Sequence, residues 1–251
     1  MRLLMVDDEE SFLEQAKIFL KKEDKSFEID TVNSPEKAIK KLQNKDYDVI
    51  ISDYRMPNMD GLKLLREVRD SGSDIPFIMF TGKGREEVAM KALNIGADRY
   101  LQKGGDPTVQ FRVLADAINQ EVEHARTKIE KNLQRTYFQQ LFEKSPEAIV
   151  LLDKEDRVIH ANPAFENIFQ YSIEEVEGKH LNEFIVPEDR MEEGIKVSQR
   201  VAEGGTVEGE TIRKRKDGKP IDVLMLGYPV RLKNKQIGIY MLYKDITERK
   251  E

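Results

Sequence analysis

Cysteine is absent from the 251 residues. Its absence excludes disulfides, thiolate metal sites, cysteine nucleophiles and thiol-linked chromophores, and it fits a reducing compartment. Long apolar runs are missing as well. No stretch approaches the roughly 20 residues of a membrane-spanning helix. The opening run, Leu3 to Val6, is too short for the core of a signal peptide and leads straight into acid. Nor does one sign of charge dominate: 41 Lys and Arg stand against 47 Asp and Glu, a net charge of −6. That balance favours solubility and gives no global reason for nucleic-acid binding. With 39% hydrophobic and 35% charged residues, the expectation is a soluble, cytoplasmic protein of two domains, with no membrane partner and no DNA-binding domain.

What is present begins with a regular alternation over residues 1–118. Short apolar runs at Leu3–Val6, Phe27–Val32, Val49–Ile51, Pro76–Phe80 and Arg99–Leu101 read as strands. Between them, Phe12, Ala16, Phe19 and Leu20, then Ala38, Ile39 and Leu42, then Leu62, Leu65 and Val68, then Val88, Ala89, Ala92 and Leu93 carry helical spacing. Ser34-Pro35 reads as a helix cap followed by proline at the first helical position, and a last helix opens at Asp106-Pro107. Five strand–helix pairs with nearly continuous apolar strands predict an α/β doubly wound, five-stranded parallel sheet. Ligands in such sheets sit at the carboxyl ends of the strands.

Those ends carry the chemistry. Asp7 and Asp8 follow the first strand and Asp53 follows the third, its neighbour in this topology, so three carboxylates are expected to converge. Three like charges in a partly desolvated pocket repel, and a hard divalent cation is the usual remedy; oxygen ligands alone point to Mg²⁺ or Mn²⁺. Thr81 ends the fourth strand and Lys103 follows the fifth, adding a hydroxyl and an ammonium to the same rim. The set reads as a phosphoryl site with Asp53 as in-line nucleophile. Taken singly, each piece has a plainer reading. The run Asp7-Asp8-Glu9-Glu10 could be a solvated turn, Asp53 a helix cap and Lys103 a surface charge.

The segments Val6-Asp7-Asp8-Glu9, Asp53-Tyr54-Arg55-Met56-Pro57-Asn58-Met59-Asp60-Gly61, Phe80-Thr81-Gly82 and Tyr100-Leu101-Gln102-Lys103 resemble the response-regulator receiver family, over residues 1 to about 120. The resemblance implies a flavodoxin-like fold with Asp53 as phosphoacceptor. It further implies Asp8 as a direct metal ligand, Asp7 acting through water, and the carbonyl of Arg55 completing the protein's ligands. Thr81 and Lys103 would sense the phosphoryl group, and Tyr100 would swing inward on activation. A sensor histidine kinase or a phosphotransfer protein would be the donor, and the domain would hydrolyse its own aspartyl phosphate. The departure is Gly104-Gly105, where the family usually has proline after the lysine. That puts the customary cis peptide in question and makes the loop more pliable.

From Val109 to Leu141 there is neither Pro nor Gly. Ile118, Val122, Ala125 and Ile129 step by four, three and four, the spacing of a coiled-coil seam, and a dimeric helical linker over 119–141 is expected. One long helix without a partner is the alternative. His124 lies in this stretch without the flanking residues of a kinase phosphoacceptor histidine. Beyond Ser145 come two short strands, helices at Pro163–Phe169 and Pro187–Ala202, and three longer strands, an α+β arrangement with an antiparallel sheet. Asp217-Gly218 and Lys233-Asn234-Lys235 read as its hairpin turns, and Arg213-Lys214-Arg215-Lys216 as charge at a hairpin end.

Residues 142–251 resemble a PAS domain through Ser145-Pro146-Glu147-Ala148-Ile149, Ala161-Asn162-Pro163-Ala164-Phe165, Gly178-Lys179, Pro187-Glu188-Asp189-Arg190, Lys216-Asp217-Gly218 and Asp245-Ile246-Thr247-Glu248-Arg249. PAS domains variously hold flavin, haem or small metabolites, or pair with one another, and nothing here identifies a ligand. The lack of cysteine removes flavin-adduct photochemistry. His160 and His180 are the only histidines for a haem iron, and a solvated or structural role is the expectation for both. The combined reading is a phosphorelay protein, homodimeric through linker helix and PAS domain, with no kinase catalytic domain. Two alternatives stay open: the front part of a longer receiver–PAS histidine kinase, with a kinase helix from Glu248, and a PAS ligand sensor that modulates the receiver.

Overall fold

The computed structural model describes residues 1–82 and 86–247. Lys83 and Gly84 of the loop after Thr81, and Glu248 and Arg249 of the closing sequence, lie outside the described residues. Two compact units divide at Asn132 and Leu133.

The first unit alternates β1 (Arg2–Val6), α1 (Glu10–Glu23), β2 (Glu28–Val32), α2 (Pro35–Leu42), β3 (Val49–Ser52), α3 (Gly61–Asp70), β4 (Phe77–Thr81), α4 (Glu86–Ile95) and β5 (Arg99–Gln102). It ends on α5 (Pro107–Glu143), which continues into the second unit. The sheet order is β2-β1-β3-β4-β5, and every pairing is parallel. Successive strand residues face opposite sides, which is why the strands are apolar without interruption. Leu3, Met5, Val49, Ile51, Ile78 and Phe80 pack toward α1 and α5 with Leu13, Ala16, Phe111 and Leu114. Their neighbours Leu4, Val6, Ile50, Phe77 and Met79 pack the other way, against Ala38, Leu64, Leu65 and Ala92 of α2, α3 and α4. Ser34 caps α2 by accepting from the Lys37 N–H, and Asp60 caps α3 by accepting from the Lys63 N–H.

At the sheet's edge, Asp30 on β2 accepts hydrogen bonds from Lys45 Nζ at 2.7 Å and from the Tyr47 hydroxyl at 2.6 Å. These bonds, the Lys45 one foremost, hold its carboxyl at about 2. Burial, and then the bond to Asp30, push the Tyr47 hydroxyl up. A carboxyl depressed on folding stabilises the fold above its unfolded pKa and loses that contribution as pH falls through the folded value. Asp30→Asn is therefore expected to cost about 1–2 kcal/mol at neutral pH, allowing for partial solvent screening. Urea unfolding should show the gap between the two proteins undiminished down to about pH 4 and closed below about pH 2.

The helix α5 takes two of the expected seam positions into the core of the first unit. Ile118 and Val122 are buried in the core against α1 and the sheet. The same four-residue step that suits a partner helix also suits a sheet, and the sheet takes these two positions. Ile129, Leu133, Tyr137 and Leu141, further along, are exposed.

The second unit has β6 (Ala148–Leu152), β7 (Val158–Ala161), α6 (Pro163–Phe169), α7 (Ile173–Val176), α8 (Asn182–Ile185) and α9 (Met191–Ala202). Three long strands follow, β8 (Val207–Lys214), β9 (Pro220–Leu232) and β10 (Lys235–Asp245). Its antiparallel sheet runs β7-β6-β10-β9-β8. Gly218, Lys233 and Asn234 all have positive φ, as tight hairpin turns require. Pro187–Ala202 is not one helix; a short 3₁₀ turn at Glu188–Arg190 precedes α9.

Inside this unit Arg213 is buried, at 1% exposure, against the expectation of a solvated charge run. Alternation along β8 puts Thr211 and Arg213 on the inner face. The guanidinium bonds Glu193, Thr211 and the Ile212 carbonyl, which offsets its removal from water. A cavity of about 10 Å³ remains beside it, lined by Asp156, Asn182, Ser198 and Tyr243 among others, roughly the room one water needs. His160 is exposed and stacks on Phe142, with ring centroids 5.1 Å apart. No helix among the described residues is long and apolar enough to cross a membrane.

Candidate functional site

The carboxyl ends of the first unit's strands hold their side chains through one more rung of each ladder. The Asp7 N–H donates to the Val32 carbonyl at 3.1 Å, the Asp53 N–H to Val6 at 2.9 Å, and the Lys103 N–H to Thr81 at 2.9 Å. Three chemically active residues are thus pinned by main-chain bonds to neighbouring strands before any side-chain contact is made. The Ser52 hydroxyl donates to the Asp53 carbonyl at 2.8 Å, and the Arg55 N–H donates to Asp53 Oδ2 at 2.6 Å. Gly61 allows the loop after Asp53 to fold back. A Cβ there would lie 2.1 Å from the Asp53 carbonyl oxygen, which only glycine avoids.

Asp7 and Asp53 are buried, at 2% and 7% exposure, and Thr81 at 1%. Two buried carboxylates need a cation between them, and Lys103 supplies it. Its Nζ lies 2.5 Å from Asp7 Oδ2 and 2.8 Å from Asp53 Oδ1. Burial pushes the Asp7 carboxyl above its ordinary range; Lys103 pulls it down, and the charge of Asp53 adds to the rise. Tyr100, on β5, has a buried hydroxyl with no hydrogen-bond partner among the described residues. Burial first and the Asp53 charge second push its ionisation up.

The predicted set is brought together in part. Asp7, Asp53 and Lys103 meet directly, and Thr81 stands at the end of the adjacent strand. Asp8 is exposed, and no three acidic or histidine side chains among the described residues are grouped to hold a metal. Of the three expected carboxylates, Asp7 and Asp53 form a buried pair with the Lys103 ammonium between them. The donor chemistry still fits a hard cation: both buried side chains offer only oxygen, and a positive charge already stands between them.

Sequence reasoning missed Phe12 and Gln110. The Phe12 ring, read only as helix spacing, lies 4.2 Å from Lys103 Nζ, centroid to nitrogen. Gln110 Oε1 accepts from the Gly104 N–H at 2.9 Å, and nothing local in the sequence signals it. Gly104 and Gly105 have φ of +144° and +80°, and the peptides among the described residues are trans. Proline, confined near −65°, could not take Gly104's conformation, so the glycine pair and this loop geometry belong together.

Comparison with known proteins gives two matched regions. Residues 3–115 match the family model of the response regulator receiver domain, and residues 136–246 match that of the PAS fold. The response regulator SaeR of Staphylococcus aureus (strain USA300) is 34% identical over 105 residues, which is 42% of this chain and 45% of that protein. The chain therefore spans less than half the length of this curated relative. A receiver domain protein from Clostridium thermocellum is similar at 28% identity, covering 50% of this chain and 97% of that one, with a TM-score of 0.45. A PAS domain from Colwellia psychrerythraea is similar at 28% identity over 46% of this chain and 97% of that one, with a TM-score of 0.41.

Proposed function

We propose that this chain, which carries a response regulator receiver domain followed by a PAS domain, is a phosphorelay protein that accepts a phosphoryl group on Asp53. The observation that carries the reading is the buried Asp7–Lys103–Asp53 cluster at the strand ends. An Asp53 carboxylate oxygen attacks the phosphorus of a phosphohistidine on a sensor kinase or phosphotransfer protein. The O–P bond forms as the N–P bond breaks, and the departing imidazole nitrogen keeps the bonding pair. Asp7, Asp8, Asp53 and the Arg55 carbonyl would hold Mg²⁺ or Mn²⁺, which when bound neutralises phosphoryl oxygens.

The chain's own groups do the rest. Lys103 gives up its bond to Asp53 and pairs with a phosphoryl oxygen, the Thr81 hydroxyl donates to another, and Tyr100 turns inward behind it. Water later hydrolyses the aspartyl phosphate and restores the carboxylate. The receiver spans 1–118 in this reading, a helical linker 119–141 and the PAS domain 142–251. A second copy pairs along the linker and PAS domain. The exposed Ile129, Leu133, Tyr137 and Leu141 support that pairing, since they recur every fourth residue.

Incubation with Mg²⁺ and acetyl phosphate, read by intact mass, tests the reading. One added phosphoryl group is expected on the parent protein and none on Asp53→Asn. A parent that gains no mass and also fails to bind beryllofluoride would sink it.

A further inference from the structure

Phe12 lies in the first turn of α1, and its ring meets three parts of the first domain at once. The Lys103 ammonium lies 4.2 Å from the ring centroid. Phe80, the residue before Thr81, is at 6.0 Å, and Phe111 of α5 is at 5.7 Å, centroid to centroid. Phe111 in turn stacks on Phe19 at 5.4 Å and meets Phe80 edge-on at 6.4 Å. The ring is only half-buried, so filling the core is not its sole use of space.

A lysine side chain has four rotatable carbons and a compact charge, and two carboxylates alone leave its approach loosely defined. An aromatic face under the ammonium adds a third, directional contact, and it strengthens as water is excluded. The lysine's own loop offers little restraint. Gly104 and Gly105 carry no side chain against their surroundings, and the loop's tie to α5 is the Gly104 N–H bond to Gln110.

We propose that Phe12 is a positioning residue: its ring holds the Lys103 ammonium aimed at Asp53 and links the lysine's position to α5 through Phe111. The proposal rests on Asp53 being the phosphoacceptor. It makes the glycine loop tolerable, since the ring supplies from α1 the restraint that a stiffer loop would supply locally. It also gives α5 a route to the site separate from Thr81 and Tyr100.

The full chain with Phe12→Leu and Phe12→Met, which keep an apolar side chain in the core, and with Phe12→Tyr, which keeps the ring, tests this. Two readouts are taken. The first is the NMR signal of the Lys103 side-chain methylene next to nitrogen, assigned by its loss in Lys103→Arg; it reports ring-current shielding without any phosphoryl transfer. The second is the rate of mass gain from acetyl phosphate. Shielding should vanish in Leu and Met and persist in Tyr. The rate should fall about tenfold in Leu and Met, the scale a desolvated cation–aromatic contact sustains, with Tyr near the parent. Thermal unfolding of each variant separates this from loss of fold. Leu and Met variants that keep the parent's rate, or a Tyr variant that stays folded yet fails to restore it, would overturn the positioning role alone. A parent that takes up no phosphoryl group and no beryllofluoride would overturn the phosphoacceptor reading and the positioning role with it.

Discussion

Lys103→Met is expected to lower the unfolding free energy of the metal-free receiver by about 3 kcal/mol. The reason is that the substitution leaves two buried carboxylates facing each other with no cation between them, and removing one partner of a buried ionic cluster is among the costliest single changes. Lys103 now reaches both Asp7 and Asp53, so a single side chain removes both contacts. In a domain of this size the loss corresponds to a fall in Tm of roughly 10–15 °C. The sign with pH follows from linkage. Without Lys103 nothing opposes the burial that raises the Asp7 carboxyl, and a carboxyl raised in the folded state contributes stability that is present at low pH and lost as pH rises. The deficit should therefore shrink as pH is lowered from 7 toward 4. Mg²⁺ should recover more Tm in the variant than in the parent, because lysine and divalent cation neutralise the same pair. Calorimetry with and without Mg²⁺, at two pH values, checks all three expectations. An unchanged Tm at neutral pH would mean that the pair is not buried together as described.

Asn162→Ala is expected to destabilise the PAS domain by about 3–4 kcal/mol. Asn162 is wholly buried. Its Oδ1 accepts from the Ile149 N–H at 2.8 Å and the Phe165 N–H at 3.1 Å, while its Nδ2 donates to the Phe142 carbonyl at 3.0 Å and the Glu147 carbonyl at 2.9 Å. All four hydrogen-bonding positions of the amide are used, two as acceptor and two as donor. The Phe165 N–H keeps a second bond, to the Asn162 carbonyl, and the Glu147 carbonyl keeps the longer one from the Ser145 hydroxyl at 3.2 Å, but the Ile149 N–H loses the Asn162 oxygen and the Phe142 carbonyl loses the Asn162 donor. Each buried group left so costs about 1–3 kcal/mol. Asn162→Asp separates hydrogen bonding from cavity formation. It conserves volume and both acceptor bonds, yet presents oxygen to two carbonyls, so it should be as damaging as alanine. Chemical denaturation of the full chain, followed through the PAS transition, measures both. A mild aspartate variant would mean that packing, not the amide's bonds, fixes this corner. Because Phe142 lies in the last turn of α5, both variants should also loosen the end of the connecting helix.

Much of this was legible beforehand, for a local reason. Strand runs at Leu3–Val6 and Val49–Ile51 and the cap at Ser34 are patterns of two to four residues, and backbone periodicity turns them into elements wherever the chain goes. Five strand–helix pairs leave few topologies once crossovers are right-handed, so Asp7, Asp53, Thr81 and Lys103 were bound for one edge of one sheet. That Asp7 and Asp53 stand in neighbouring strands follows from the order β2-β1-β3-β4-β5.

What sequence could not settle is which side chains meet across that edge. Lys103 and Asp7 are 96 residues apart, and their contact depends on strand register and on how far a flexible ammonium reaches. Carboxylate repulsion suggested three acids around a metal; the fold buried two and set a lysine between them, leaving Asp8 toward solvent. An apolar step of four, three and four residues in α5 could not say whether its partner was another helix or the sheet beneath it, and packing assigned Ile118 and Val122 to the sheet. Four consecutive basic residues looked solvated until strand alternation turned Arg213 inward, where Glu193 and Thr211 receive it. Local periodicity is written in the chain and was read there; the pairing of distant charges is decided only when the elements are packed, because burial sets both what a charge costs and which partner can offset it.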